Sequence, residues 1–141
     1  MAALFGKPAE GERVQATHRP KTLGRTGEAA AERYLSKLGY SILDRNYRTR
    51  GGEIDLVVSD RDTLVFVEVK TRESERYGEA VQAVTPHKQE QMSKTALAYL
   101  QSRNLGERPC RFDVIALKVE GEKAKLTHYK NAFPLSEKFW L

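Results

Sequence analysis

The sequence predicts an α/β fold, with two helices laid against a mixed sheet, and three observations carry that prediction. Short runs rich in Val, Ile, Leu and Phe, bounded by Gly or Asp, alternate with two longer stretches of helical spacing. The order along the chain is helix, three strands, helix, strand, strand, with only short turns between the first three strands. One run, LVFVEVKTR from Leu64, opens with apolar residues at every position, as a strand buried on both faces does.

Residues 1–21 are rich in Gly, Pro, Ala and charge without periodicity and are expected to form a flexible basic arm, leaving 22–141 as a single domain. A helix starts at Thr22 or Thr26, runs through GEAAAERYLSKL and stops at Gly39, which suits a left-handed cap. Its apolar stripe is Ala31, Leu35 and Leu38; stepping back by three reaches Glu28, an acid on the inward face near the positive end of the helix dipole. Glu32, a turn on, is better placed for solvent. Strands follow at 40–48, 53–59 and 64–71, joined at Gly51-Gly52 and Asp60-Arg61-Asp62, which makes an antiparallel meander. After a polar loop, Thr85-Pro86 opens a second helix, Thr as N-cap and Pro in the first turn, which runs to about Gln101 and packs through Met92, Ala96, Tyr99 and Leu100. Strands at 111–118 and 124–128, turned at Gly121, come next, and an irregular tail is docked by Phe133 and Trp140.

Composition narrows the function classes. The net charge of +5 favours a polyanionic partner such as nucleic acid. No apolar run reaches the length of a membrane span, and the N-terminal residues lack the basic start and sustained apolar core of a secretory signal. The single cysteine, Cys110, can form no internal disulfide and offers no thiolate cluster for zinc, which points to a cytoplasmic protein.

The charges inside the third strand need an explanation. Residues two apart share a face of a strand, so Glu68 and Lys70 lie together, opposite Val65, Val67 and Val69. On the preceding strand Glu53 and Asp55 share a face, with Ile54 and Leu56 on the other. A tight turn makes the two strands neighbours, placing Asp55 beside Glu68, with Lys70 a step further and Glu28 approaching from the helix. Clustered carboxylates repel, and burial raises their pKa further. A divalent cation relieves both, and Mg²⁺ is commonly held by one or two carboxylates with water and phosphate oxygens. Such a site can hydrolyse a phosphodiester, the cation activating water and an ammonium stabilising developing charge. The plainer alternative is a surface Glu–Lys ion pair worth about 0–1 kcal/mol.

Asp55 followed by Glu68-x-Lys70 resembles the PD-(D/E)xK motif of the restriction-endonuclease-like superfamily. The longer blocks GRTGEAAAERYL, GYSILDRNYRTRGGEIDLV, LVFVEVKTR, YGEAVQAVTPHKQ, RFDVIA and HYKNAF resemble the YraN-type family of small bacterial proteins, similar to archaeal Holliday-junction resolvases. The resemblance runs from Gly24 to Phe133 and implies a restriction-endonuclease-like core, α-β-β-β-α-β, with a mixed central sheet flanked by helices. It also implies a Mg²⁺- (or Mn²⁺-) dependent endonuclease acting on DNA, including branched or junction DNA. Asp55 and Glu68 correspond to metal-binding acids, Lys70 to the catalytic lysine, and Glu28 to a helix-borne acid supporting the metal. The proline that names the motif is replaced by Ile54. Symmetric junction cleavage would need two sites and hence a homodimer. A non-catalytic nucleic-acid-binding module with a vestigial site is the alternative, and a basic scaffold protein a third reading.

Arg45, Arg48, Arg50, Arg72 and Arg76 surround the predicted acids and suit phosphate contacts. Gln82 and Lys88 flank the start of the second helix, where related nucleases often carry a polar residue that touches the site; Lys88 is a candidate nucleic-acid contact, and a solvated helix start is the plainer alternative. Tyr47 and Tyr77 are candidates for stacking, with core packing the simpler role for Tyr47. Gly51-Gly52 serves first as a turn and second as a point of close approach for DNA. His18, His87 and His128 are scattered and read as structural. The glycines at Gly24 and Gly27 form no phosphate loop, because no strand feeds them and no Gly-Lys-Ser/Thr follows.

Overall fold

A computed structural model of the protein describes residues 13–18, 26–72, 84–105, 107–120 and 123–139. The elements are β1 (Arg13–His18), α1 (Thr26–Lys37), β2 (Ser41–Thr49), β3 (Gly52–Asp60), β4 (Thr63–Arg72), α2 (Pro86–Ser102), β5 (Cys110–Glu120) and β6 (Lys123–Phe133), with a final 3₁₀ turn at Glu137–Phe139. They form a six-stranded sheet in the order β1-β6-β5-β4-β3-β2. The β4–β5 pair is parallel, bridged by α2, and the other neighbours are antiparallel. The succession α1-β2-β3-β4-α2-β5 is the restriction-endonuclease-like core, which β6 and β1 extend at one edge.

The sequence explains the elements locally. Three consecutive alanines favour α1, Glu28 and Lys37 suit its dipole at either end, and Gly39 closes it at φ 91°. The Tyr40 N–H then donates to the Leu35 carbonyl at 3.0 Å across that cap. Thr85 caps α2 by accepting from the Lys88 N–H at 3.1 Å, with Pro86 following as the first helical residue.

The core has two halves, one on each face of the sheet. On the α2 side Ile54, Val57, Leu64, Phe66, Phe112 and Phe133 meet Met92, Ala96, Tyr99 and Leu100. On the α1 side Leu56, Val58, Val65, Val67, Ile115 and Leu117 meet Ala30, Ala31 and Leu35. Strand β4 is therefore buried on both faces, each large side chain contributing about 1.5–3 kcal/mol.

Four expectations need correction. Leu38 is 49% exposed and not part of the α1 stripe, because the helix ends at Lys37 and the turn carries Leu38 off the core face. Residues 13–18, expected in an unstructured arm, form β1, because the edge of β6 offers backbone groups for them to pair with. Residues 131–133, expected in the tail, continue β6 past a bulge opposite Asp113. Ile54 and Leu56 belong to opposite halves of the core. Strict alternation breaks at Asp55, between the pairs Arg45–Leu56 and Tyr47–Ile54, where Asn46 of β2 takes φ 50°.

Candidate functional site

Because β4 is pinned on both faces, Glu68 is aimed to the α2 side, and its side chain is only 7% exposed. Its Oε1 lies 3.5 Å from Lys70 Nζ on the same strand, and its Oε2 lies 3.7 Å from Lys88 Nζ in the first turn of α2. No donor among the described residues hydrogen-bonds Oε2, although that oxygen is buried. A buried acceptor left without a hydrogen bond costs about 1–3 kcal/mol, more when charged, and here only the two ammoniums offset that cost.

Asp55 reaches the same place by a different route. The β3–β4 ladder ends at the Leu56–Val67 pair, and beyond it Asp55 Oδ2 accepts the Val69 N–H at 2.8 Å. The carboxylate thereby replaces a strand neighbour and is fixed in orientation one residue from Glu68. Burial raises the pKa of Asp55 above the usual range, with the Val69 hydrogen bond and the two lysines acting against it. Burial raises Glu68 as well, reinforced by the Asp55 charge and opposed by Lys88 and Lys70. Glu28 is raised by burial and then by Asp55, against a hydrogen bond from the Asn46 side chain.

Asp55 is thus the middle member of a row of acids whose charges act on one another. The row is not a closed cage: among the described residues no three His, Cys, Asp or Glu side chains converge tightly enough to hold a metal ion. Beyond burial, Glu28 is raised by the charge of Asp55 and so joins the row, while Asp55 is itself raised by Glu53. Asp55 and Glu68 supply a pair of carboxylates with one unmet oxygen. Hard, water-rich Mg²⁺ suits that donor set, because it is commonly bound by one or two carboxylates with the rest of its shell from water and phosphate.

The arginines are placed differently. Arg45 Nε donates to Glu32 Oε2 at 2.9 Å, and Arg48 lies 3.2 Å from Glu53. Exposed pairs of this kind contribute about 0–1 kcal/mol and exchange readily for a phosphate. Arg50 is exposed at the β2–β3 turn. Arg72 ends β4, but its side chain, like Arg76, Tyr77 and Gln82, lies outside the described residues, as do Gly121 and Trp140. Gly51 and Gly52, both partly exposed, lie against α2: a Cβ on Gly52 would sit 3.1 Å from Thr95 Oγ1. The turn role expected for this pair is borne out, and its close approach is to the protein's own helix. Tyr47 packs in the core, its ring 5.0 Å from that of Tyr99, with Arg103 over it.

A model of the uncharacterised protein family UPF0102 matches residues 27–117. A UPF0102 protein of Geobacter sulfurreducens is 49% identical over 123 residues, covering 86% of this chain and 96% of the relative. Another, from Pelotomaculum thermopropionicum, is 50% identical over 115 residues, covering 80% of this chain and 96% of the relative. The chain belongs to the UPF0102 family.

The stretch matched to UPF0102 contains every residue of the row just described, together with Lys70 and Lys88, and ends within β5. Beyond it lies part of a polar cluster that sequence reasoning missed in this UPF0102 protein. Asp113, fully buried on β5, accepts from Arg111 Nε at 3.0 Å and from the Asn131 N–H at 2.9 Å, and lies 2.7 Å from His128 Nε2. The other His128 nitrogen lies 3.0 Å from the Tyr34 hydroxyl on α1. Arg111 also reaches Asp60 at 3.1 Å and the Tyr40 hydroxyl at 2.9 Å. The signal was available: an Asp inside the apolar run FDVIAL is the same anomaly as a Glu inside LVFVEV. Here the charge is fully answered by protein groups, whereas Glu68 keeps an unmet oxygen.

Proposed function

We propose that this UPF0102 protein is a metal-dependent endonuclease that hydrolyses phosphodiester bonds of DNA, branched DNA included. The observation that carries the proposal is the buried Glu68 Oε2 without a hydrogen bond, beside Asp55 and flanked by two ammoniums. Asp55 and Glu68 would hold Mg²⁺ or Mn²⁺, and Glu28 would tune Asp55 through its charge. When bound, such a cation neutralises phosphate charge and lowers the pKa of water.

The chain's own groups supply the rest. Lys70, partly exposed at the end of β4, can orient an attacking water and stabilise charge that develops on the phosphate oxygens. The Val69 N–H keeps Asp55 from swinging away when the site is empty of substrate. Arg45, Arg48, Arg50, Arg72 and Lys88 would contact phosphates and position the strand without reading its sequence. Symmetric cutting of a junction calls for two sites, and so for a homodimer on the DNA. No helix among the described residues is long and apolar enough to cross a membrane.

The test is cleavage of labelled single-stranded, duplex and four-way-junction DNA with Mg²⁺ or Mn²⁺. Lys70→Ala and Asp55→Ala should each lower the rate by about 100-fold or more, the scale of removing one well-placed electrostatic group. Equal cutting by wild type and both variants at matched purity would remove the mechanism. Salt-dependent binding with no cutting of any substrate would favour the vestigial-site reading.

A further inference from the structure

Lys88 stands where an ammonium is poorly served by its own helix. It lies in the first turn of α2, at the positive end of the helix dipole, and its side chain is only 30% exposed. The Thr85 cap fixes its backbone. What balances the charge is Glu68 Oε2 at 3.7 Å, an ion pair too long to be a hydrogen bond. Glu68 therefore sits between two ammoniums, Lys70 on Oε1 and Lys88 on Oε2. The two are not equivalent. Lys70 shares a strand with Glu68 and stays beside it, whereas Lys88 reaches over from a separate element on a flexible four-carbon stem.

We propose that Lys88 is a stand-in cation for the carboxylate site. It neutralises Glu68 Oε2 while the site is empty, yields that oxygen when a divalent cation loads, and is thereby released to bind a phosphate oxygen of the incoming strand. The inference rests on the metal-dependent reading above and adds a positioning role that couples the two binding events. Cation and phosphate each displace Lys88 from the same carboxylate oxygen, so each favours the other. One substitution should then have two effects of opposite sign. Lys88→Met should bind the divalent cation more tightly, because no ammonium has to leave. It should bind DNA more weakly, because a phosphate contact is gone.

The experiment measures Mn²⁺ affinity of the DNA-free full chain by electron paramagnetic resonance, in wild type, Lys88→Met, Lys88→Gln, Lys88→Arg and Lys94→Met. Lys94 is an exposed lysine further along α2 and controls for loss of one positive charge. Lys88→Met and Lys88→Gln should tighten Mn²⁺ binding by roughly 3- to 10-fold, the order expected for removing one close, partly screened charge. Lys88→Arg should stay near wild type, and Lys94→Met should change less than Lys88→Met. With Ca²⁺ present, the slope of log affinity for duplex DNA against log salt should fall by about 0.9 in Lys88→Met, one phosphate contact. Unchanged or weaker Mn²⁺ binding in both Lys88→Met and Lys88→Gln overturns this inference and leaves the nuclease reading standing. Equal tightening in Lys88→Met and Lys94→Met overturns it too, since the effect is then general charge. Failure of wild type to bind Mn²⁺ at all removes both readings.

Discussion

Two carboxylates on β5 and β3, the strands that flank β4, show how one anomaly in a sequence can have opposite meanings. Asp113 is answered on every side by Arg111, His128 and the Asn131 N–H; burial would raise its pKa, but His128 and Arg111 hold it below the usual carboxylate range. Its contribution to stability is present above the unfolded pKa of an ordinary Asp and is lost as pH falls through the lower folded value. Asp113→Ala leaves a guanidinium and an imidazole without their anion and should cost about 3–5 kcal/mol in urea or thermal unfolding. Asp55 has the reverse sign. Its folded pKa is raised, so the stability linked to it is present below the unfolded value and is lost as pH rises through the folded one. Asp55→Asn should therefore raise the melting temperature of metal-free protein at pH 7 by roughly 2–4 °C, a gain that shrinks toward zero near pH 4. A lower melting temperature for Asp55→Asn at pH 7 would mean that the Val69 hydrogen bond outweighs the burial of the charge.

At the scale of elements, what the sequence disclosed depended on whether the decisive contacts were local. Strand β4 was legible because burial on both faces leaves an unbroken apolar run, and α2 because Thr85 and Pro86 signal a start by their own chemistry. The pair Glu68 and Lys70 was legible from strand periodicity, and the nearness of Asp55 from the short turn, but the break in alternation at Asp55 and its bond to the Val69 N–H were not. Strand β1 was not, because its partner on β6 is distant in sequence and nothing in Arg13–His18 announces the pairing. The approach of Lys88 to the site was suggested by the family resemblance, but its pairing with Glu68 was not, since that depends on where α2 crosses the sheet. The same kind of long-range contact fixes α1. Gly27 lies against β4 so closely that a Cβ there would collide with Thr71 Oγ1. Gly27→Ala should then destabilise the fold by about 1–3 kcal/mol through overpacking and shift Glu28, the next residue, relative to Asp55. Adding Thr71→Ala removes the colliding atom, so the double variant should recover most of the loss. Two additive penalties in chemical denaturation would show that the collision is not the cause.

For the molecule as a whole, the candidate site is where separate pieces of chain meet under electrostatic tension. Glu28 comes from α1, Asp55 from β3, Glu68 and Lys70 from β4 and Lys88 from α2. The three acids are all raised, each by burial first and, for Glu28 and Glu68, by the Asp55 charge next. A fold that concentrates carboxylates in this way is weakened by them at neutral pH, and a ligand that binds only the assembled row restores what they remove. Mn²⁺ or Mg²⁺ at about 100 times its dissociation constant should add ~2.7 kcal/mol to unfolding, read as a rise in melting temperature at pH 7. Because a cation binds the deprotonated acids, it must displace protons held at the raised pKa values. The rise should therefore diminish as pH falls toward the ordinary carboxylate range. Asp55→Ala and Glu68→Ala should abolish it, whereas a substitution at the exposed Arg61 turn should leave it intact. A rise of equal size at pH 4 and pH 7, or one that survives loss of both acids, would place the cation elsewhere on the protein.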